Sequence, residues 1–165
     1  MPEMTENKYP IKDFLPLIII ISIIIALTAI HQFHYGFSFM GAMRIFMAFF
    51  FLVFGSFKVI NLKAFAKAYA EYDIIAKQFF GYGYLYPFLE LGLGIAYFFN
   101  WMPLYTNIFT LLLMLISAWG VLTELRKGRQ IVCACLGVVF KIPMTYVTLG
   151  EDLLMASMAA IMLLM

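Results

Sequence analysis

The sequence has few charged residues for its length of 165. Lysine and arginine number 11 and aspartate and glutamate number 9, so charged side chains make up 12% of the chain. Soluble domains usually hold about 25%. Because 65% of the residues are apolar, the shortage of charge excludes an ordinary soluble domain and makes the lipid bilayer the expected partner. A net charge of only +2 gives no support for a nucleic-acid partner.

Cysteine is also scarce, and familiar catalytic motifs are missing from the sequence. It contains no phosphate-binding glycine loop, no dinucleotide-binding fingerprint and no haem-attachment motif. The two cysteines, Cys133 and Cys135, stand together in the segment Cys-Ala-Cys-Leu-Gly. Thiols two residues apart can share one disulfide, one metal ion or one partner thiol. The candidate chemistry is therefore concentrated in one short segment.

Five apolar stretches are long enough to cross a bilayer core, which takes about 20 helical residues. They cover residues 14–30, 41–62, 84–99, 104–123 and 142–165. Helices satisfy their backbone polar groups within lipid, so the sequence predicts an all-α integral membrane protein with five transmembrane helices. We expect a tail over 1–13, a first transmembrane helix over 14–34 and a four-helix domain over 41–165.

Ten of the eleven basic residues fall on one side of this five-helix arrangement. That side contains the N-terminal tail and the connections that follow the second and fourth helices, whereas the other side has Arg44 alone. Basic residues accumulate on the cytoplasmic side of membrane proteins. The pattern predicts a cytoplasmic N-terminus and a cytoplasmic loop over 131–141, which carries Cys133 and Cys135.

The connection over residues 63–79 is rich in helix-forming residues. Phe65, Tyr69, Tyr72 and Ala76 recur at spacings of four, three and four, which places them on one helical face. The pattern predicts a short amphipathic helix that lies on the inner membrane surface.

Glu90 lies inside an apolar stretch, where a carboxylate is costly unless it is paired or neutral. Lys58, near the same inner end of its own helix, is the natural partner. A structural ion pair and a proton-linked or ligand-binding role are both open. Pro87 is expected to start or kink the helix and to help orient Glu90.

Glu151 and Asp152 allow two placements. If the last helix begins near Pro143, both acids lie close to the middle of the membrane and form a functional site by default. If it begins at Thr148, Thr148 and Glu151 form a capping box, and both acids lie at the positive end of the helix. Between these alternatives we favour a position at the inner interface, near the cysteine loop.

The cysteine segment has basic surroundings, with Arg129 and Lys141 close to it in sequence. Positive charge favours the reactive thiolate of Cys133 and Cys135. A permanent structural disulfide is disfavoured in a reducing cytosol. A redox-cycling pair and a soft-metal site remain open, beside the simpler interpretation of two small buried hydrophobic residues.

Methionines add to the metal alternative. Met144, Met155 and Met158 fall on one face of the last helix. Thioethers and thiolates select Cu(I) and other soft ions, so these residues with Cys133 and Cys135 are candidate ligands for Cu(I) or Hg(II) transport or handling. A methionine stripe at helical spacing also occurs as ordinary core packing.

Four segments taken together resemble the MauE/DoxX group of redox-associated bacterial membrane proteins. They are residues 54–58 (Phe-Gly-Ser-Phe-Lys), residues 65–77, residues 86–91 (Tyr-Pro-Phe-Leu-Glu-Leu) and the Cys-x-Cys-x-Gly segment at 133–137. The resemblance covers 41–165 and implies a four-helix, DsbB-like bundle in the bacterial inner membrane, to which the first helix is an addition.

This resemblance implies a thiol–disulfide exchange role in the maturation or electron transfer of a partner protein in methylamine utilisation. Cys133 and Cys135 match the Cys-x-Cys-x-Gly pair of the group and would be catalytic, whereas Pro87 and Glu90 match its Tyr-Pro-Phe-x-Glu segment. The implied partner is a redox protein, and the implied candidate cofactor is a quinone. In the metal alternative, the partner would be a metal chaperone.

Overall fold

The computed structural model describes residues 15–128 and 145–165, and within this part every regular element is an α-helix. The predicted all-α class is therefore confirmed. The helices are α1 (Leu15–Tyr35), α2 (Phe39–Ile60), α3 (Leu62–Tyr69), α4 (Ile74–Gln78), α5 (Phe80–Phe98), α6 (Pro103–Arg126) and α7 (Thr145–Leu164).

Four helices of the described part are long and apolar enough to cross a membrane: α1, α2, α6 and α7. They indicate a multi-pass membrane protein. Helix α5 has 19 residues and is not among them. Its hydropathy is lowered by four tyrosines, four glycines, Pro87 and Glu90. A fifth crossing by α5 stays a prediction.

The long helices pack as two closely contacting pairs, α2 with α5 and α6 with α7, and α1 packs against α2. Glycine allows the first pair to approach closely. A Cβ atom at Gly94 would lie 2.8 Å from Cγ and 3.0 Å from the backbone nitrogen of Leu52. Small residues permit this kind of close contact between membrane helices, so the α2–α5 contact depends on the missing side chain.

The segment over 63–79 differs from its prediction, because it forms two short helices rather than one. Asp73 begins the second helix, since its carboxylate Oδ1 accepts hydrogen bonds from the backbone nitrogens of Ile75 (2.9 Å) and Ala76 (2.8 Å). The predicted apolar face is present but buried in the core, and its members are Phe65, Tyr69, Tyr72 and Ala76. The prediction of a single helix is therefore wrong, whereas the position of this segment at the inner membrane surface stays a prediction. The two short helices pack mainly against α5.

Helix α5 begins at Phe80, seven residues before Pro87. The expectation that Pro87 starts this helix is wrong, since Pro87 lies within it. Proline has no backbone N–H and so removes one helical hydrogen bond. The irregularity falls one turn before Glu90.

Candidate functional site

Lys58 and Glu90 form a buried ion pair between α2 and α5. The Nζ atom of Lys58 lies 2.5 Å from Oε1 and 2.6 Å from Oε2 of Glu90. Lys58 is 7% exposed and Glu90 is 3% exposed. The predicted partnership is confirmed, and both oxygens of Glu90 are committed to one ammonium group.

Aromatic rings complete the surroundings of the Lys58 ammonium. Its Nζ atom lies 5.1 Å from the ring centre of Tyr86 and 5.5 Å from that of Phe65. A cation within about 6 Å of a ring face is attracted by the negative face of the ring. This region of the protein therefore holds a primary ammonium group by one carboxylate and two rings.

Glu151 and Asp152 are the seventh and eighth residues of α7. At 1.5 Å per residue they lie roughly 9–11 Å along the helix from Thr145. Thr148 is inside the helix, so the capping-box placement is wrong and the acids are not at the helix start. Asp152 is 7% exposed, and Glu151 is partly exposed.

Both acids line the same cavity as Lys58 and Glu90. The cavity has a volume of about 20 Å³, which is room for about one water-sized molecule. Its walls are largely aromatic and come from α2, α3, the α3–α4 turn and α5. The aromatic residues are Phe50, Phe54, Tyr69, Tyr72 and Tyr86. Together with α6 and α7, which contribute Ser117 and the two acids, five helices and one turn therefore meet around one group of charges.

The charges around this cavity do not balance within the described residues. Three carboxyl groups face one ammonium group, and that ammonium is held by Glu90. Ser117 is a hydrogen-bonding neighbour of Asp152. However, Oδ2 of Asp152 and Oε1 of Glu151 are buried and have no hydrogen-bond partner there. Since an unpaired buried carboxylate is strongly unfavourable, these two acids need either a proton or a further positive charge.

A second buried carboxylate group adjoins the cavity through Tyr69. The Tyr69 hydroxyl donates a hydrogen bond of 3.0 Å to Oδ2 of Asp73, which is fully buried. Burial raises the pKa of Asp73, and the hydrogen bonds from Ala76, Tyr69 and Ile75 oppose this rise. Asp73 was missed by the sequence analysis, although an aspartate directly before a helix is a usual N-cap signal.

Glu124 is another residue that the sequence analysis missed. It is 1% exposed and accepts ion pairs from Lys77 at 2.5 Å and from Lys127 at 3.0 Å. The pair with Lys77 joins α4 to α6. Lys77 lies in the segment over 63–79 that was predicted to be a surface helix. Nothing in the spacing of the sequence indicated that Lys77 would pair with Glu124.

Two of the predicted metal-ligating methionines can be located, and both pack in the interior. Met155 is fully buried in the apolar core, and Met158 packs against that core. Within residues 15–128 and 145–165, no three histidine, cysteine or acidic side chains are arranged to hold a metal ion. Core packing accounts for this part of the face. Met144, Cys133 and Cys135 lie outside the described residues, and their metal role stays a prediction.

The segment that carries Cys133 and Cys135 joins the end of α6 to the start of α7. Those two helix ends lie on the same side of the bundle as the charged cavity. Ser117 of α6 and Asp152 of α7 line the cavity, and Glu124 near the end of α6 pairs with Lys77. Along the chain, the cysteine segment therefore follows α6 and precedes α7, the two helices that contribute Ser117 and Asp152 to the cavity.

A family model described as methylamine utilisation protein MauE matches residues 17–165. The matched range includes nearly all of α1 as well as the Cys133-to-Gly137 segment, so the expectation that the first helix is an addition to the family's part of the chain is wrong. No curated protein and no solved structure matches the chain. A proposal for the function can therefore draw on this family match.

Proposed function

Because the chain belongs to the MauE family of methylamine utilisation proteins, we propose that it is a membrane accessory protein that exchanges disulfides with a partner through Cys133 and Cys135. Family membership itself indicates the accessory role in methylamine utilisation. The thiol chemistry is the further step. The observation that carries it is a family match that runs through the only two cysteines of the chain.

The exchange is balanced between the protein and its partner. A thiolate of the partner attacks the Cys133–Cys135 disulfide, and a mixed disulfide forms as one of the two cysteines leaves as a thiolate. The second partner thiolate then displaces the remaining cysteine. The partner loses two electrons and two protons, and Cys133 and Cys135 gain them as thiols. A quinone that accepts two electrons and two protons would restore the disulfide.

The ring size of this disulfide suits repeated exchange. A bond across one intervening residue closes a small ring that departs from relaxed disulfide geometry. Strained disulfides have higher reduction potentials and are the labile, catalytic ones. Residues Arg129 and Lys141 lie four and six positions from the nearer cysteine, and their positive charge favours the thiolate that reacts.

The described helices provide a fixed base for such a segment. Helices α6 and α7 hold its two ends and pack closely on each other. The Lys58–Glu90 pair ties α2 to α5 on the same side of the bundle.

The test replaces the thiols in a host that grows on methylamine. Cys133→Ser with Cys135→Ser should abolish growth and leave the partner's disulfides unformed, whereas Ala134→Ser, the matched control between them, should have no effect. A partner variant that keeps only the attacking cysteine should accumulate as a mixed disulfide with the unmodified protein, because no second thiolate displaces it, and a reductant should release it. Full growth of the double variant would contradict the proposal. Stoichiometric, thiol-dependent Cu(I) or Hg(II) binding without any mixed disulfide would favour metal handling instead.

A further inference from the structure

We propose that the cavity between α2, α5, α6 and α7 binds a small primary ammonium cation at the carboxylates of Asp152 and Glu151. The chemical class includes ammonium and its smallest alkyl derivative, methylammonium. The proposal concerns carboxylates to which the thiol exchange above assigns no role, and it does not depend on that exchange.

The first argument is the pair of oxygen atoms without partners. Oδ2 of Asp152 and Oε1 of Glu151 are buried, line the cavity and accept no hydrogen bond from the described residues. Asp152 is 7% exposed, and its neighbour Ser117 is a single hydroxyl. A buried acceptor without a donor is costly, so these oxygens are suited to a ligand that brings N–H groups.

The second argument is the absence of a free cation nearby in the described part of the chain. Lys58 donates to both oxygens of Glu90, and Lys77 and Lys127 pair with Glu124. Arg44 donates to the backbone oxygens of Tyr97 and Phe98, at the far end of α5. Residues Lys63, Lys67 and Arg126 are exposed. Within the described residues, Asp152 therefore has no lysine or arginine of its own, and a cationic ligand would supply that charge.

The third argument is the size and the wall of the cavity. About 20 Å³ is room for about one water-sized molecule, which is the size of an ammonium ion, and the described carboxylates form no set for a multivalent metal ion. The aromatic walls attract cations through their ring faces. Lys58 already shows a primary ammonium group held in this way, with Tyr86 and Phe65 as the rings. A methyl group on the ligand would contact Phe54 or Met114, which also line the cavity.

The test measures binding to the purified full-length protein in detergent. Methylammonium chloride and ammonium chloride should each raise the midpoint of thermal unfolding above that in equal sodium chloride, because a ligand of the folded state stabilises it. The larger of the two shifts identifies the preferred cation. Tetramethylammonium chloride, which has no N–H group and is too large, should have no such effect. Equal midpoints in all four salts would overturn the proposal.

The variant Asp152→Asn should weaken methylammonium binding by about 10-fold to 100-fold, the loss expected for one charge-assisted hydrogen bond. The exposed acid Glu71 provides the control, and Glu71→Gln should bind as the unmodified protein does. If Asp152→Asn does not fold, infrared spectra of the unmodified protein decide. Addition of methylammonium should weaken the infrared band of protonated carboxyl groups and strengthen that of carboxylates, because the cation replaces a proton at Asp152 or Glu151. Unchanged bands would mean that protons alone neutralise these acids and would overturn the proposal.

The two proposals fail separately. Protein with Cys133→Ser and Cys135→Ser should bind methylammonium with unchanged affinity, because its cavity residues are intact. Loss of binding in that protein would contradict an independent cation site. If the double serine protein no longer oxidises the partner but still binds methylammonium, the cation site is supported and is separate from the thiol chemistry.

Discussion

Removing the ammonium group of Lys58 should destabilise the bundle strongly. The variant Lys58→Met keeps the length of the side chain and leaves Glu90, which is 3% exposed, without its cation. Breaking a buried ion pair by removing one partner costs about 3–5 kcal/mol. The lost cation–ring contacts with Tyr86 and Phe65 add about 0.5–2 kcal/mol.

The reverse change should cost less, because the charges of the cavity are unequal. In Glu90→Met the Lys58 ammonium still shares the cavity with Glu151 and Asp152, so it keeps carboxylates as partners. Replacing both members of a buried pair by apolar residues is often neutral or stabilising. We therefore expect Lys58→Met to be the least stable variant, and Lys58→Met combined with Glu90→Met to be more stable than Lys58→Met alone.

The assay is unfolding by SDS in mixed micelles, followed by the loss of helical circular dichroism. Lys67→Met, which removes an exposed lysine of α3, is the control and should change the free energy of unfolding by less than about 0.5 kcal/mol. The reasoning is refuted if Lys58→Met unfolds like this control. It is also refuted if the double variant loses the sum of the two single losses.

Two further predictions concern the contact between α2 and α5 and the buried carboxylate of Asp73. Gly94→Ala should lower the free energy of unfolding by about 1–3 kcal/mol, because its Cβ would meet Leu52 at 2.8 Å. Gly92→Ala, with open space around the same atom, should raise it by up to about 1 kcal/mol, and equal effects in the same assay would contradict the close contact. Burial raises the pKa of Asp73 above 3.8, so the folded state holds this proton more tightly than the unfolded state does, and stability should fall as the pH rises from 3.8 through the raised value. Asp73→Asn should flatten that slope in unfolding measured against pH, and an unchanged slope would show that other groups cause it.

The long helices were predictable because their physical cause lies in the sequence itself. An apolar run bounded by charge or proline can satisfy its backbone in lipid only as a helix, and α6 begins at Pro103 as the break before it indicated. The segment over 63–79 shows where the pattern is insufficient. Its apolar face is correct, but the carboxylate of Asp73 captures two backbone N–H groups and starts a new helix. Local capping outweighed a continuous periodicity.

The site was predictable only where a single residue required a partner. A carboxylate in an apolar stretch must be neutralised, so Glu90 pointed to Lys58. The place of Asp152 could not be deduced in that way, because it depends on where α7 begins and on how α6 and α7 meet. Ser117 and Tyr72 had no signal in the sequence, since an isolated serine or tyrosine is ordinary in a membrane helix. They line the cavity only because five helices and the α3–α4 turn meet there.

The scarcity of charge in this chain makes the placement of three acids in one cavity informative. A single ion pair is enough to tie α2 to α5, and Lys58 with Glu90 provides it. The two acids on α7 add the cost of removing carboxylates from water, and within the described residues they gain no cation of their own. Packing therefore does not explain them, because apolar residues would fill the same space at lower cost. The proposed cation site would offset this cost, because its ligand would bring the positive charge that the described residues do not supply to Glu151 and Asp152.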